Sequence, residues 1–280
     1  GRLAAMTTPE ATRVEASGGF GVAAEIRALV AATTFLTRIP GPRSLEYDAT
    51  LLARSTAYFP LIGVVVGALG GVVFVLSAVA WTPFLAAVLC TAATIWLTGA
   101  FHEDGLADAC DGFGGGWSRE QVLAIMKDSR IGSYGAVGLG IVLLAKVGAL
   151  ATIAEPHAAN AARALVAGHV LGRWSSLPLI RFLPYARDTE GKSRPFAASV
   201  TRLRLSVGSA IAFAGVWIAL TPFGAPAILA VLVAATAGVV FARSYFQRRL
   251  GGMTGDCLGA ANQLIEVTTY LLLATTWLRP

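Results

Sequence analysis

An all-α, polytopic membrane bundle is the fold class this sequence predicts, and three observations predict it. The 280 residues are 55% hydrophobic and 14% charged, whereas a soluble domain carries roughly 25% charged residues. Mean hydropathy is +0.66. Apolar stretches of the length that crosses a bilayer as a helix, about 20 residues, recur at roughly 56–80, 83–101, 133–154, 158–182, 204–222, 225–242 and 258–278. Lysine and arginine, finally, fall on alternate connections. The segments up to Arg54 and the connections 102–132, 184–203 and 243–257 carry Arg43, Arg54, Arg119, Lys127, Arg130, Arg187, Lys192, Arg194, Arg202, Arg243, Arg248 and Arg249. The connections near Thr82, Glu155–His157 and Thr221–Gly224 carry none, and only Arg279 ends on that side. This asymmetry is the positive-inside pattern of about seven spans with an inside N-terminus.

The elements follow in order. Residues 1–21 are polar and small and are read as a disordered leader; no cleavable signal is expected. Residues 22–280 form a single integral-membrane domain. Residues 22–38 place Val22, Ile26, Leu29, Thr33 and Leu36 on one helical face, with Glu25, Arg27 and Arg38 elsewhere. That pattern predicts an N-terminal amphipathic helix lying in the membrane interface, ended by Pro40-Gly41-Pro42. The net charge of +6 forms no single basic tract, so nucleic acid is not an expected partner. Cys90, Cys110 and Cys257 are far apart, which excludes a disulfide framework and a cysteine zinc site.

The fourth span carries Arg163, His169, Arg173 and Arg181. Charges at membrane depth face protein or water; Arg163 and Arg181 are near enough to the ends to snorkel, whereas Arg173 is well inside. Lys146 in the third span either pairs or snorkels. Glu266 in the last span is either an interhelical contact or part of a site, and Asn262 and Gln263 are read as interhelical hydrogen-bond partners.

Most of the candidate chemistry sits in one run, His102-Glu103-Asp104-Gly105-Leu106-Ala107-Asp108-Ala109-Cys110-Asp111-Gly112, in the connection that follows the second span. Asp104, Asp108 and Asp111 share a face if the segment is helical. Like charges so placed repel one another, and a hard divalent cation, Mg²⁺ above all, relieves the repulsion through oxygen ligands. Of sixteen acidic residues in the chain, Glu103, Asp104, Asp108, Asp111 and Asp128 fall in this region, a concentration that a merely solvated loop does not need. Ser118-Arg119-Glu120-Gln121 is a capping box opening a short surface helix with Val122, Ile125 and Met126 on one face. That helix leads to Lys127-Asp128-Ser129-Arg130. There Asp128 either completes the metal site or pairs locally, and Lys127 and Arg130 either hold phosphate oxygens or join that local pairing. Arg187, Lys192 and Arg194 suit an anionic diphosphate, although positive loops are also what topology alone requires. In Gly251-Gly252-Met253-Thr254-Gly255-Asp256, glycines open a new helix, a ready anion site; Thr254 and Asp256 are candidate substrate contacts, with a plain N-cap as the alternative for Asp256. All four elements fall on the same side of the predicted topology.

These residues resemble a known family. The run from His102 to Gly112, then Ile125-Met126-Lys127-Asp128-Ser129-Arg130-Ile131-Gly132, closely resembles the cobalamin synthase family, the adenosylcobinamide-GDP ribazoletransferases. Thr37-Arg38-Ile39-Pro40, Tyr58-Phe59-Pro60-Leu61-Ile62-Gly63, Arg173-Trp174 and Gly252–Ala260 match as well, so the likeness extends in order from about residue 25 to the end. The resemblance implies a transferase in the cytoplasmic (inner) membrane, with its active site facing the cytoplasm. α-Ribazole, or its 5′-phosphate, would attack the cobinamide-linked phosphorus of adenosylcobinamide-GDP; GMP would leave, with Mg²⁺ required. On that reading Asp104, Asp108, Asp111 and Asp128 bind metal, and a free carboxylate or His102 takes the hydroxyl proton unless His102 only orients. Lys127, Arg130, Arg173, Arg187, Lys192 and Arg194 contact substrate. Membrane lipid and a homo-oligomer are the other expected partners. A CDP-alcohol-type phosphotransferase is the first alternative, disfavoured because Asp111-Gly112 is followed by Phe113-Gly114-Gly115 and no Ala-Arg. A transporter is the second; it predicts ionisable groups at the bilayer midplane and internal repeats, whereas most carboxylates here gather at one interface.

Overall fold

The computed structural model describes residues 21–42, 45, 48–155, 157–187 and 200–278. The expected leader apart from Gly21, together with Lys192 and Arg194, lies outside the described residues. Within them the chain is helical throughout, with no strand beyond an isolated bridge between Tyr185 and Met253. It is a helical membrane bundle. The long helices are α3 (Phe59–Ser77), α4 (Pro83–Thr98), α7 (Ser133–Ile153), α8 (Ala158–Phe182), α9 (Arg202–Leu220), α10 (Gly224–Leu250) and α11 (Gly255–Leu273), one for each apolar stretch read from the sequence. The shorter ones are α1 (Val22–Leu36), α2 (Ala49–Ser55), α5 (Phe101–Gly115) and α6 (Arg119–Ile125).

Among the described residues three helical stretches are apolar and long enough to cross a membrane, Thr50–Ser77, Ser133–Ile153 and Arg202–Leu250, and α4 with α5 makes a fourth if that bent pair is one span. The stretch Arg202–Leu250 contains both α9 and α10. Its 49 residues would extend roughly 74 Å as one helix, more than twice the ~30 Å hydrocarbon core. It is interrupted by a 3₁₀ turn at Thr221–Phe223 and by Gly224 at φ 82°. The charged and amide side chains of α8 and α11 make them less apolar, and both are buried in the middle of the bundle.

Small residues decide the central packing. A Cβ added to Gly63, Gly67 or Gly71 would lie 2.5 Å from His169 O, 2.6 Å from Val166 Cα and 2.9 Å from Ala162 Cβ, respectively. These glycines recur every fourth residue on α3 and let it lie against α8 backbone to backbone, the small-residue stripe by which membrane helices gain van der Waals contact.

Helices α1 and α5 add detail to the expected pattern. Helix α1 packs on the bundle through Ala28, Ala31, Ala32 and Leu36, while Val22 and Ile26 of the expected apolar face are 77% and 57% exposed, open to lipid in the membrane interface. Periodicity singles out the bulkiest apolar residues, but close helix contact favours alanine. Glu25, assigned to the polar face, instead holds α1 in place. It accepts from Arg204 Nη1 and Nη2 at 2.6 and 2.5 Å and from the Tyr58 hydroxyl at 2.7 Å. The start of the connection 102–132 is helix α5, as the shared face of Asp104, Asp108 and Asp111 requires. Gly99 and Ala100 both take left-handed backbone (φ 69° and 60°), and the chain turns by 92° between α4 and α5.

Candidate active site

Helix α5 has two polar faces. His102, Glu103 and Asp111 are buried, whereas Asp104 is exposed and Asp108 half-buried. On the outward side Asp104 and Asp108 approach the first turn of α11. Gly105 and Gly259 make that approach possible: a Cβ on Gly105 would lie 3.2 Å from the Cα of both Asp256 and Gly259. Burial and the charges of Asp104, Asp256 and Asp111 push the Asp108 carboxyl up to about 6, opposed by Arg187. Arg187 donates to Asp256 Oδ2 at 2.7 Å, and the Thr254 hydroxyl lies 3.2 Å from the same oxygen. Thr254 also caps α11 through Cys257 N at 3.3 Å.

Two loops bring Arg187 there. Ala186 N donates to Met253 O at 2.8 Å, and Met253 N to Pro184 O at 2.9 Å. Arg119 then clamps both loops to α6, through Nε to Leu250 O at 2.9 Å and Nη2 to Ala186 O at 2.6 Å. Sequence reading placed Arg119 only inside the capping box. That box is present, with Gln121 Oε1 accepting from Ser118 N and Ser118 Oγ from Gln121 N, both at 3.2 Å. A contact between residues 131 positions apart left no local signal of the arginine's second task.

The other candidate residues are placed differently. Asp111 turns both oxygens to the start of α7, accepting from Gly132 N at 2.7 Å and Gly135 N at 2.8 Å. The exposed Arg130 and the half-buried Asp128 are closed on each other, with Nη2 2.6 Å from Oδ2; this pairing holds the Asp128 carboxyl down at about 2. They line an open recess of about 670 Å³ that also includes Asp111 and Tyr134. Lys127, just past the end of α6, is exposed.

Arg173 and His102 belong to a separate buried network beneath α5. Lys146 Nζ lies 2.8 Å from Glu266, 4.0 Å from Glu103 and 2.6 Å from the Gln263 amide oxygen. The Tyr270 hydroxyl lies 3.1 Å from Glu266 Oε1. His169 Nδ1 is 3.1 Å from both Glu266 Oε2 and Arg173 Nη1. One ring nitrogen cannot donate to the first and accept from the second; the carboxylate is the stronger partner, which leaves Arg173 its 3.2 Å bond to the His169 carbonyl. Lys146 and Arg173 thus balance Glu103 and Glu266. His102 is buried within electrostatic reach of this network, and desolvation holds its imidazole neutral, well below the usual histidine range. Among the described residues no three His, Cys, Asp or Glu side chains are placed to enclose a metal ion.

The family model described as Cobalamin-5-phosphate synthase matches residues 28–274. The chain belongs to that family. Among its relatives is an adenosylcobinamide-GDP ribazoletransferase of Leptothrix cholodnii, 43% identical over 262 residues that cover 90% of this chain and 97% of the relative. Another of the same name, from Ralstonia nicotianae, is 44% identical over 253 residues, 89% and 96% of the two chains. No solved structure shows significant similarity. The match to the cobalamin-5-phosphate synthase family begins within α1 and ends just past α11, so both polar clusters lie inside it.

Proposed function

We propose that this chain joins α-ribazole, or its 5′-phosphate, to adenosylcobinamide-GDP, releasing GMP and forming adenosylcobalamin or its 5′-phosphate. Two supports carry the reading: the substrate named by its relatives, and the convergence of Asp104, Asp108 and Asp256 beside Arg187. Transfer at a diphosphate calls for in-line positioning and charge neutralisation rather than covalent help. Arg187, oriented by Asp256, would hold a phosphate oxygen of the GDP moiety, and Thr254 and the amides opening α11 would add neutral donors. A carboxylate of this group would accept the ribazole hydroxyl proton. His102, neutral and turned inward, suits an orienting role.

The donor set fits magnesium. Crowded carboxylate oxygens are what a hard divalent cation relieves, and Mg²⁺ is commonly held by one or two carboxylates with substrate phosphates supplying the rest. Asp104 and Asp108 would hold it; Asp111 and Asp128 would join only on leaving the α7 amides and Arg130. When bound, the ion would neutralise charge on the diphosphate. Arg130, once free of Asp128, would reach substrate across the 670 Å³ recess, and the exposed Lys127 would add a second cation. The excess of lysine and arginine on the connections of this side supports a site facing the cytoplasm from the inner membrane.

The test is detergent-purified protein given adenosylcobinamide-GDP, α-ribazole and Mg²⁺. GMP release that stops with EDTA, and falls at least 100-fold in Asp104→Asn, as expected for an electrostatic group at the reacting centre, supports the reading. Undiminished turnover in Asp104→Asn, or in EDTA, would overturn the roles given to the carboxylates and the metal.

A further inference from the structure

A groove of about 790 Å³ runs between α3, α8 and α9 on the outside of the bundle. Its floor is cut by small residues, among them Ala68, Gly71, Ala162, Ala214 and Gly215, and the rest of its lining is apolar except for Arg163. Along α3 it reaches from Leu61 to Leu76, roughly 22 Å of helix, which exceeds the ~15 Å hydrocarbon half of one leaflet. Val72, Val75, Leu76 and Ile218, which line it too, are exposed and in a bilayer meet lipid.

Arg163 supplies the polar end. It lies in the second turn of α8, while Arg187 and the carboxylates lie beyond that helix's other end, so the groove opens on the face of the bundle away from the active site. Its guanidinium donates to Asn160 Oδ1 at 3.3 Å, and no carboxylate pairs with it among the described residues. A cation near a helix N-terminus works against the helix dipole, which favours an anion at that end. Snorkelling carries the same guanidinium to the headgroup layer, where the available anions are phosphodiesters.

We propose that this groove binds one membrane phospholipid, with an acyl chain along the small-residue floor and its phosphodiester on Arg163. Shape and charge point to the same occupant: an apolar channel of leaflet length with a single cation at the headgroup end. A second copy of the chain would meet that cation with apolar helix faces and leave it buried without an anion, at a cost.

The test uses full-length protein, purified in detergent, stripped of lipid and titrated with palmitoyl-oleoyl phosphatidylglycerol under native mass spectrometry. One lipid is expected to remain bound on the wild-type chain. Arg163→Gln should weaken retention about tenfold, in line with one lost charge-assisted contact, while Arg163→Lys keeps most of it. Ala68→Leu should also expel the lipid, since this exposed position fills the floor without entering the core. Unfolding temperature and GMP release act as controls that each variant is folded. Equal lipid retention in folded Arg163→Gln and Ala68→Leu would overturn the proposal. A dimer that Ala68→Leu dissociates, with lipid count unchanged, would overturn it in favour of a second copy.

Discussion

Asp104 and Asp111 stand about two turns apart on one helix, yet their surroundings give them different work. Asp104 faces outward toward Asp108 and Asp256, whereas both oxygens of Asp111 are taken by amides at the start of α7. Replacing Asp111 with alanine removes a cap, for which the expected loss is about 1–2 kcal/mol, visible as a lower unfolding temperature in detergent. Asp104→Asn should leave that temperature unchanged while activity falls; equal unfolding temperatures for the two variants would contradict the division. The buried network gives a second prediction. Lys146→Met strands Glu266 and Glu103 in the bundle and should cost about 3–5 kcal/mol. The double variant Lys146→Met/Glu266→Gln should recover much of that, since removing both partners is far less harmful than removing one. Thermal melts of the two variants would decide it. Sequence reading found all these residues and singled out Arg173 as too deep to dismiss. It did not find that Arg173 joins Lys146, His169 and Glu266 in one buried network. Which of several buried polar groups meet is set by helix rotation, and spacing along one helix does not contain that.

At the scale of elements, helix existence was legible and helix contact was not. The seven apolar stretches became seven long helices because a backbone in hydrocarbon must satisfy its own hydrogen bonds. The α3 to α8 contact depends on glycines every fourth residue, so Gly67→Leu, pressing on Val166 backbone, should separate the pair and abolish folded protein in a detergent gel-filtration assay. Docking of α1 carries a pH prediction. Arg204 lowers the Glu25 carboxyl below the ordinary glutamate range, so the pair stabilises docking above the unfolded-state value. That contribution is lost as pH falls through the lowered one. Hydrogen exchange over Val22–Leu36 should therefore quicken on acidification below the usual glutamate range, and Glu25→Gln should show the faster exchange already at neutral pH. An unchanged exchange profile in Glu25→Gln would remove the ion pair from the docking of α1.

For the whole molecule, charge distribution predicts orientation. Cysteine placed at Ser118 should react with a membrane-impermeant thiol reagent only from the cytoplasmic side of the inner membrane, and cysteine at Thr82 only from the opposite side. Labelling of both from one side would invert or break the topology. The amino-acid order alone determined that the chain is a helical membrane bundle, where its long helices run, and which short runs carry its carboxylates. Those are consequences of composition and period, which act locally along the chain. Only the tertiary structure decided that α5 leaves α4 at 92°, that Asp256 and Arg187 join Asp104 and Asp108, and that Asp111 and Asp128 are otherwise engaged. Those outcomes depend on two left-handed residues, on the close crossing of Gly105 and Gly259 and on backbone bonds between distant loops. Contacts of that kind are settled by packing in three dimensions, after each helix has already formed.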